Sequence, residues 1–281
     1  MTSASPFKSA PEVGYEDAYE LAWEVGFGEA GTTDDDLAWK RSRSEHELYL
    51  TYKAEASSYE TVFHISCTKA KGKKTDPTVV EGVWSGFSGR DVKRKDGVPL
   101  TYYKSYLIKI TFFEDLLRVT DGQCGAWARF FIETLRIHGI SSERKTFVPT
   151  PPAIGFIVKT WSFAKTGTSG DSVFSHKNDV YGFDPTDYTT TTDYIWAGVA
   201  EVIYTSGTQG QNNKKPASLF GNHQIVDVPV GNAWYDPSYG LKHTTMKSIE
   251  NTLSGFVKIG NASNLFFSTT NSTVPQIILF P

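Results

Sequence analysis

Residues 121–140 read DGQCGAWARFFIETLRIHGI, and this stretch decides the fold. Asp121-Gly122 breaks whatever precedes it, and Cys124 then opens a helix. Trp127, Phe130, Phe131 and Leu135 recur along one side of that helix, and Gly139 stops it. A helix with so apolar a side must bury it against a second layer. The second layer is predicted from residue 223 onward: His223-Gln-Ile225-Val226-Asp-Val228 alternates, Gly231-Asn232 turns the chain, and Trp234-Tyr235-Asp236-Pro237 runs back. The predicted class is α+β, with the cysteine-bearing helix packed on an antiparallel sheet.

Working outward, residues 1–50 form an N-terminal β-rich segment. Tyr19, Leu21, Trp23 and Val25 alternate, as do Leu48, Leu50 and Tyr52, with an acidic solvated loop at Thr33-Asp-Asp-Asp36 between the runs. The main unit spans 51–281. Within it, 61–67 alternates and predicts a strand carrying Cys67 on its inner face. Asp76-Pro77 predicts a helix start, with Asp76 as N-cap and Val80, Val83, Trp84 and Phe87 facing the core. Asp96-Gly97 marks a two-residue hairpin whose wet face carries Lys93, Arg94 and Lys95. A strand through Tyr106, Ile108 and Ile110 leads to a short helix with Phe112, Phe113, Leu116 and Leu117. Further strands are predicted at 154–161, 256–259 and 276–280. Residues 165–221, dense in Thr, Ser, Gly, Asn and Asp, read as an insertion or a group of surface loops.

Composition narrows the functions. The 281 residues carry 28 basic and 31 acidic side chains, a net charge of -3, so no electrostatic footprint for nucleic acid is present. No apolar run is long enough to span a membrane, and the first residues show no signal-peptide pattern. Two cysteines, Cys67 and Cys124, exclude a disulfide scaffold and a four-cysteine zinc site. His46, His64, His138 and His243 lack neighbours at ligand spacing, so no metal is expected. Compartment and oligomeric state stay open.

Chemistry concentrates at Cys124. A thiol at the first turn of a helix sits where free N–H groups and the helix dipole favour an anion, and the same N–H groups can donate to a developing oxyanion. The bland alternative is a small buried residue. Two later residues weigh against it. A base must take the thiol proton and a carboxylate should orient that base; His223 opens a strand, and Asp236 follows 13 residues later beyond a turn, which makes the two cross-strand neighbours. His176 with Asp184-Pro185 is a second such pair, but no apolar strand joins them, and a base needs a rigid element.

These pieces resemble the transglutaminase-like superfamily, whose members share a papain-like core. The matching residues are Gly122-Gln123-Cys124 with the helix ending in Leu135-Arg136-Ile137-His138-Gly139-Ile140, then Asn222-His223-Gln224-Ile225-Val226, then Trp234-Tyr235-Asp236-Pro237-Ser238. The resemblance covers roughly 110–240 and implies a Cys124-His223-Asp236 triad performing acyl transfer through a thioester on a protein or peptide substrate, with no cofactor. Asp236, where the papain branch has Asn, favours the transglutaminase-like branch. Two departures stand out: Gly125 follows Cys124 where animal transglutaminases carry Trp, and 99 residues separate Cys124 from His223. Candidates for an oxyanion or substrate contact are Gln123, Trp84 and Tyr103, with Tyr102 beside it. Calcium, used by some relatives, has no readable ligand set. The expected activity is hydrolysis of peptide or amide bonds by a cysteine peptidase-like enzyme. Transfer to a lysine amine, as in protein cross-linking, and a non-catalytic binding module on the same fold are the alternatives.

Overall fold

A computed structural model describes residues 12–29, 38–53, 57–104, 110–149, 153–158, 162–164, 173–174, 194–195, 201–203, 209–214, 216, 219–245, 248–249, 252–259, 265–269 and 277–280. The acidic loop at 33–36, the strand centre at 105–109 and the pair His176 and Asp184 lie outside them.

The chain begins with a two-stranded antiparallel ribbon, β1 (Gly14–Phe27) and β2 (Ala38–Leu50). Its root is tied to the helices α1 (Glu60–Ala70) and α2 (Asp76–Ser88): Val13 exchanges backbone hydrogen bonds with Gly72 and Lys73, and Tyr15 stacks on Tyr49 at 5.4 Å. Short β3 (Thr101–Tyr102) runs parallel to β4 (Asp121–Gly122), with α3 (Phe113–Val119) between them and α4 (Cys124–Arg136) directly after. The following strands are β5 (Glu143–Pro149), β6 (Ala153–Val158), β7 (Ser162–Ala164), β8 (Val173–Phe174), β9 (Tyr194–Ile195), β10 (Glu201–Ile203), β11 (Leu219–Phe220), β12 (His223–Val228), β13 (Ala233–Asp236), β14 (Leu241–His243), β15 (Leu253–Ile259), β16 (Leu265–Thr269) and β17 (Ile277–Phe280).

Two antiparallel sheets dominate the second half, one ordered β14-β13-β12-β5-β17 and the other β11-β6-β15-β16. The chain is therefore mixed α and β with antiparallel sheets, as predicted at that level. Helix α4 lies against β12 and β5. Trp127, Phe130, Phe131 and Leu135 are fully buried, as their spacing predicts; at roughly 2 kcal/mol per side chain, this face contributes on the order of 8 kcal/mol to holding α4 in place. Gly139, at φ 69°, ends the helix in the left-handed region, and the Gly139 N–H closes onto the Arg136 carbonyl at 2.9 Å.

Four local expectations are corrected. Residues 61–67 form most of α1, not a strand, because Val62, Ile65, Ser66 and Ala70 also lie on one helical face; Ser66 donates to the Thr134 carbonyl of α4, and Ala70 approaches α2. That approach needs small residues: a Cβ on Gly82 would stand 2.9 Å from the Ala70 Cα. Cys67 is still core, but on a helix. The N-cap of α2 is Thr75, one residue early, because Thr75 and Thr78 form a reciprocal capping box. The hairpin at 93–99 closes through a longer loop, with the Gly97 N–H on the Arg94 carbonyl and Gly97 at φ 83°. Its cations are not simply wet: Arg94 pairs with Asp96, and Lys95 pairs with Glu47 and Glu60. Finally, residues 209–214 are no surface loop. Gln211 is fully buried, and Asn212 and Asn213 hold carbonyls of residues 92, 100, 102 and 103.

Candidate active site

The start of α4 is held on three sides. The Gln123 N–H donates to the Ile110 carbonyl at 2.9 Å, and the Trp127 indole donates to the Thr101 carbonyl at 3.3 Å. Behind them β4 runs beside β3, where Gly122 is confined by Ala126 and Leu116, each 3.1 Å from where a Cβ would sit. Gln123 is the N-cap and makes no side-chain cap, and no acidic side chain occupies the first turn. Side chains thus leave the amide groups of the first turn to other acceptors. Cys124 sits on this turn with 7% of its surface exposed.

His223 arrives from the sheet. The ladder between β12 and β13 pairs Val226 with Tyr235, so one step further along sets Asp236 opposite Ile225. Residues two apart share a face, which makes His223 and Asp236 diagonal neighbours on one side of the sheet. Their side chains meet there, His223 Nε2 lying 2.8 Å from Asp236 Oδ2. A carboxylate only accepts, so the proton on Nε2 donates, and Nδ1 is the ring nitrogen left for the thiol. The Cys124 thiol lies near enough to the imidazole to favour its charged form. Asp236 is itself oriented by two backbone amides: Ser238 and Tyr239 donate to its Oδ1 at 3.1 and 3.3 Å.

Aromatic rings enclose the imidazole. Phe147, directly across the ladder on β5, sits edge-on at 5.3 Å; Tyr102 does so at 6.4 Å, and Tyr239 tilts over it at 5.6 Å. Complete burial works against an imidazolium here, but the Asp236 carboxylate outweighs it, and the Cys124 thiol adds to the same side, so the pKa of His223 is raised. Burial pushes the phenols of Tyr102 and Tyr239 well above their usual range and keeps them neutral. His243, also buried, is pushed down by desolvation, with Asp236 opposing that and His223 reinforcing it.

Cys124, His223 and Asp236 therefore meet, although 99 and 13 residues separate them along the chain. The three weaker candidates fare differently. Trp84 belongs to the core, packed on Phe87, Phe131 and Tyr235 at 6.3, 5.4 and 5.0 Å. Tyr103 is tied by its backbone N–H to the Gly122 carbonyl at 3.2 Å, and the neighbouring ring of Tyr102 stands 6.4 Å from that of His223. Gln123 serves the helix start through its backbone, its carbonyl accepting from Ala126 and Trp127. Sequence reading missed Tyr239, Phe147 and Gln211. For Tyr239 a signal existed, since Asp236-Pro-Ser-Tyr-Gly240 reads as a tight turn that folds its third and fourth residues back onto the first; Gly240 is at φ 62°.

No cluster of His, Cys, Asp and Glu able to hold a metal occurs among the described residues, and no described helix is long and apolar enough to cross a membrane. No family model, curated protein or solved structure matches the chain.

Proposed function

We propose that the chain is a cysteine-dependent hydrolase of peptide or amide bonds, built on a transglutaminase-like variant of the papain-like core. The observation that supports this most strongly is the contact chain Cys124, His223, Asp236, in which a helix-terminal thiol meets an imidazole whose far nitrogen is held at 2.8 Å by a buried carboxylate. Such an order of nucleophile, base and orienting acid is what thiol acyl transfer requires.

In this reading His223 takes the thiol proton at Nδ1 as the Cys124 sulfur adds to the substrate carbonyl. The amide groups at the start of α4 stabilise the oxyanion. The tetrahedral species collapses to a thioester as the amine leaves with the proton carried by His223. Water, deprotonated by the same imidazole, then attacks the thioester, releasing a carboxylic acid and restoring the thiol. Asp236 keeps the proton on Nε2 throughout and stabilises the charged imidazole.

The test is incubation of the full chain with a mixed peptide library and a fluorescent primary amine, with Cys124→Ala as control. Cleaved peptides that disappear in the control support hydrolysis. Amine-labelled peptides without cleavage replace it by transfer, and identical products from parent and control overturn the thioester reading altogether.

A further inference from the structure

Gln211, in the stretch that sequence alone assigns to surface loops, grips four backbone groups from a fully buried position. Its Nε2 donates to the carbonyls of Pro237 and Phe87, each at 2.7 Å. Its backbone N–H donates to the Ser238 carbonyl at 3.0 Å, and its own carbonyl accepts from the Tyr102 N–H at 2.9 Å. A peptide unit holds one residue's carbonyl and the next residue's N–H in a single rigid plane. The Pro237 carbonyl and the Ser238 N–H are one such unit; the Ser238 carbonyl and the Tyr239 N–H are the next. Those are the two N–H groups that donate to Asp236 Oδ1. Gln211 thus holds from the carbonyl side both peptide units that hold Asp236 from the amide side. Hydrogen bonds chained in this way polarise one another, and in a site closed to water each bond is stiffer than it would be at the surface.

We infer that Gln211 is a positioning residue for the triad, acting through the turn at 237–239 to fix the Asp236 carboxylate against His223. The inference rests on the thiol-triad reading for its catalytic meaning, but the mechanical claim is separate. Through its bond to the Tyr102 backbone, Gln211 also sets one of the rings that close around the imidazole.

Gln211→Met keeps the side-chain length and the backbone N–H while removing both side-chain donations. Asn212→Ala is the matched control: the Asn212 Nδ2 holds the carbonyls of Val92 and Leu100 at 2.6 and 2.9 Å, two bonds from the same segment with no grip on the Asp236 turn. The readout is the titration of the His223 imidazole, followed by NMR in the histidine-labelled full chain without substrate. The groups facing that ring are Asp236 from β13, Cys124 from α4, Tyr102 from β3, Tyr239 from the turn and His243 from β14, with Phe147 as an apolar wall. Slackening Asp236 removes the charge that opposes burial, so the His223 midpoint falls by a unit or more in Gln211→Met. The same variant loses tenfold or more in kcat with KM within twofold. Asn212→Ala lowers Tm by a comparable amount and leaves the His223 midpoint in place. Equal midpoints in parent and both variants overturn the inference and make Gln211 a purely structural residue. Should Gln211→Met not fold, Gln211→Leu, which likewise offers no side-chain donor, decides on the same readout. If Cys124→Ala retains the parent's activity, the thioester reading fails, while the titration still decides what Gln211 does to Asp236.

Discussion

Thiol alkylation separates the two cysteines by an amount that can be worked out beforehand. Cys67 is wholly buried on α1, its Sγ 3.8 Å from the Leu50 carbonyl, and burial raises its pKa from the ordinary 9.0 to about 12. At pH 7.5 about 3% of an ordinary thiol is ionised, against roughly 0.003% of Cys67, so ionisation alone slows it about 1,000-fold. The limit is lower still, because a side chain with no exposed surface reacts only when the structure opens. Cys124 meets neither obstacle in full: part of its surface is exposed, and an imidazole stands beside it. The assay is iodoacetamide labelling under native conditions, quenched over time, with peptide mass spectrometry assigning each site. Cys124 should label at least 1,000-fold faster than Cys67, and His223→Ala should slow Cys124 tenfold or more without changing Cys67. Comparable rates at the two sulfurs, or a Cys124 rate indifferent to His223, would refute the activated-thiol argument.

Three other outcomes follow from the same geometry. His138 is buried at the end of α4, with Nδ1 accepting from the Tyr52 N–H at 3.2 Å and Nε2 2.8 Å from the Ser66 hydroxyl, and burial lowers its pKa from 6.5 to about 4. The unfolded chain binds this proton first, so its contribution is whole above pH 6.5 and is lost as pH falls through about 4; the loss is about 3 kcal/mol in urea unfolding, and His138→Gln should flatten that window. Asp236→Asn keeps the shape but removes the charge that opposes the burial of His223, so turnover should drop about 10³–10⁴-fold while near-UV circular dichroism stays native. Gly125→Ala would set a Cβ 2.8 Å from Gln224 Oε1, displacing a flexible amide next to Cys124; the expected cost is about 1 kcal/mol in stability and about tenfold in rate, and an unchanged rate would show that Gln224 has no bearing on the site.

The places of Cys124, His223 and Asp236 could be read before folding because each sits on a local pattern. The Asp121-Gly122 break, the aromatic stripe from Trp127 to Leu135 and the stop at Gly139 are all short-range signals, and a hairpin turn carries His223 back to Asp236. Helix α1 shows the opposite case. Phe63, Ile65 and Cys67 alternate as a strand would, while Val62, Ile65, Ser66 and Ala70 repeat as a helix would, and packing against α2 and α4 selects between them. Order along the chain puts Trp84, Tyr102 and Tyr103 upstream of Cys124, whereas which of these rings stands near His223 depends on the fold, in which the Tyr103 N–H bonds the Gly122 carbonyl at 3.2 Å.

Legible in the sequence alone were the helix that opens at Cys124, the strand and turn that carry His223 and Asp236, and the mixed α and β class with antiparallel pairing. Periodicity, breakers and turn chemistry act over a few residues, so they survive in one dimension. Only the tertiary structure decided which groups complete the site. Gln211 bonds carbonyls 26 and 124 residues away, and Phe147 and Tyr239 reach His223 from separate strands and turns. A polar residue in a polar stretch leaves no pattern in sequence, because what makes it matter is burial, and burial is a property of the folded whole.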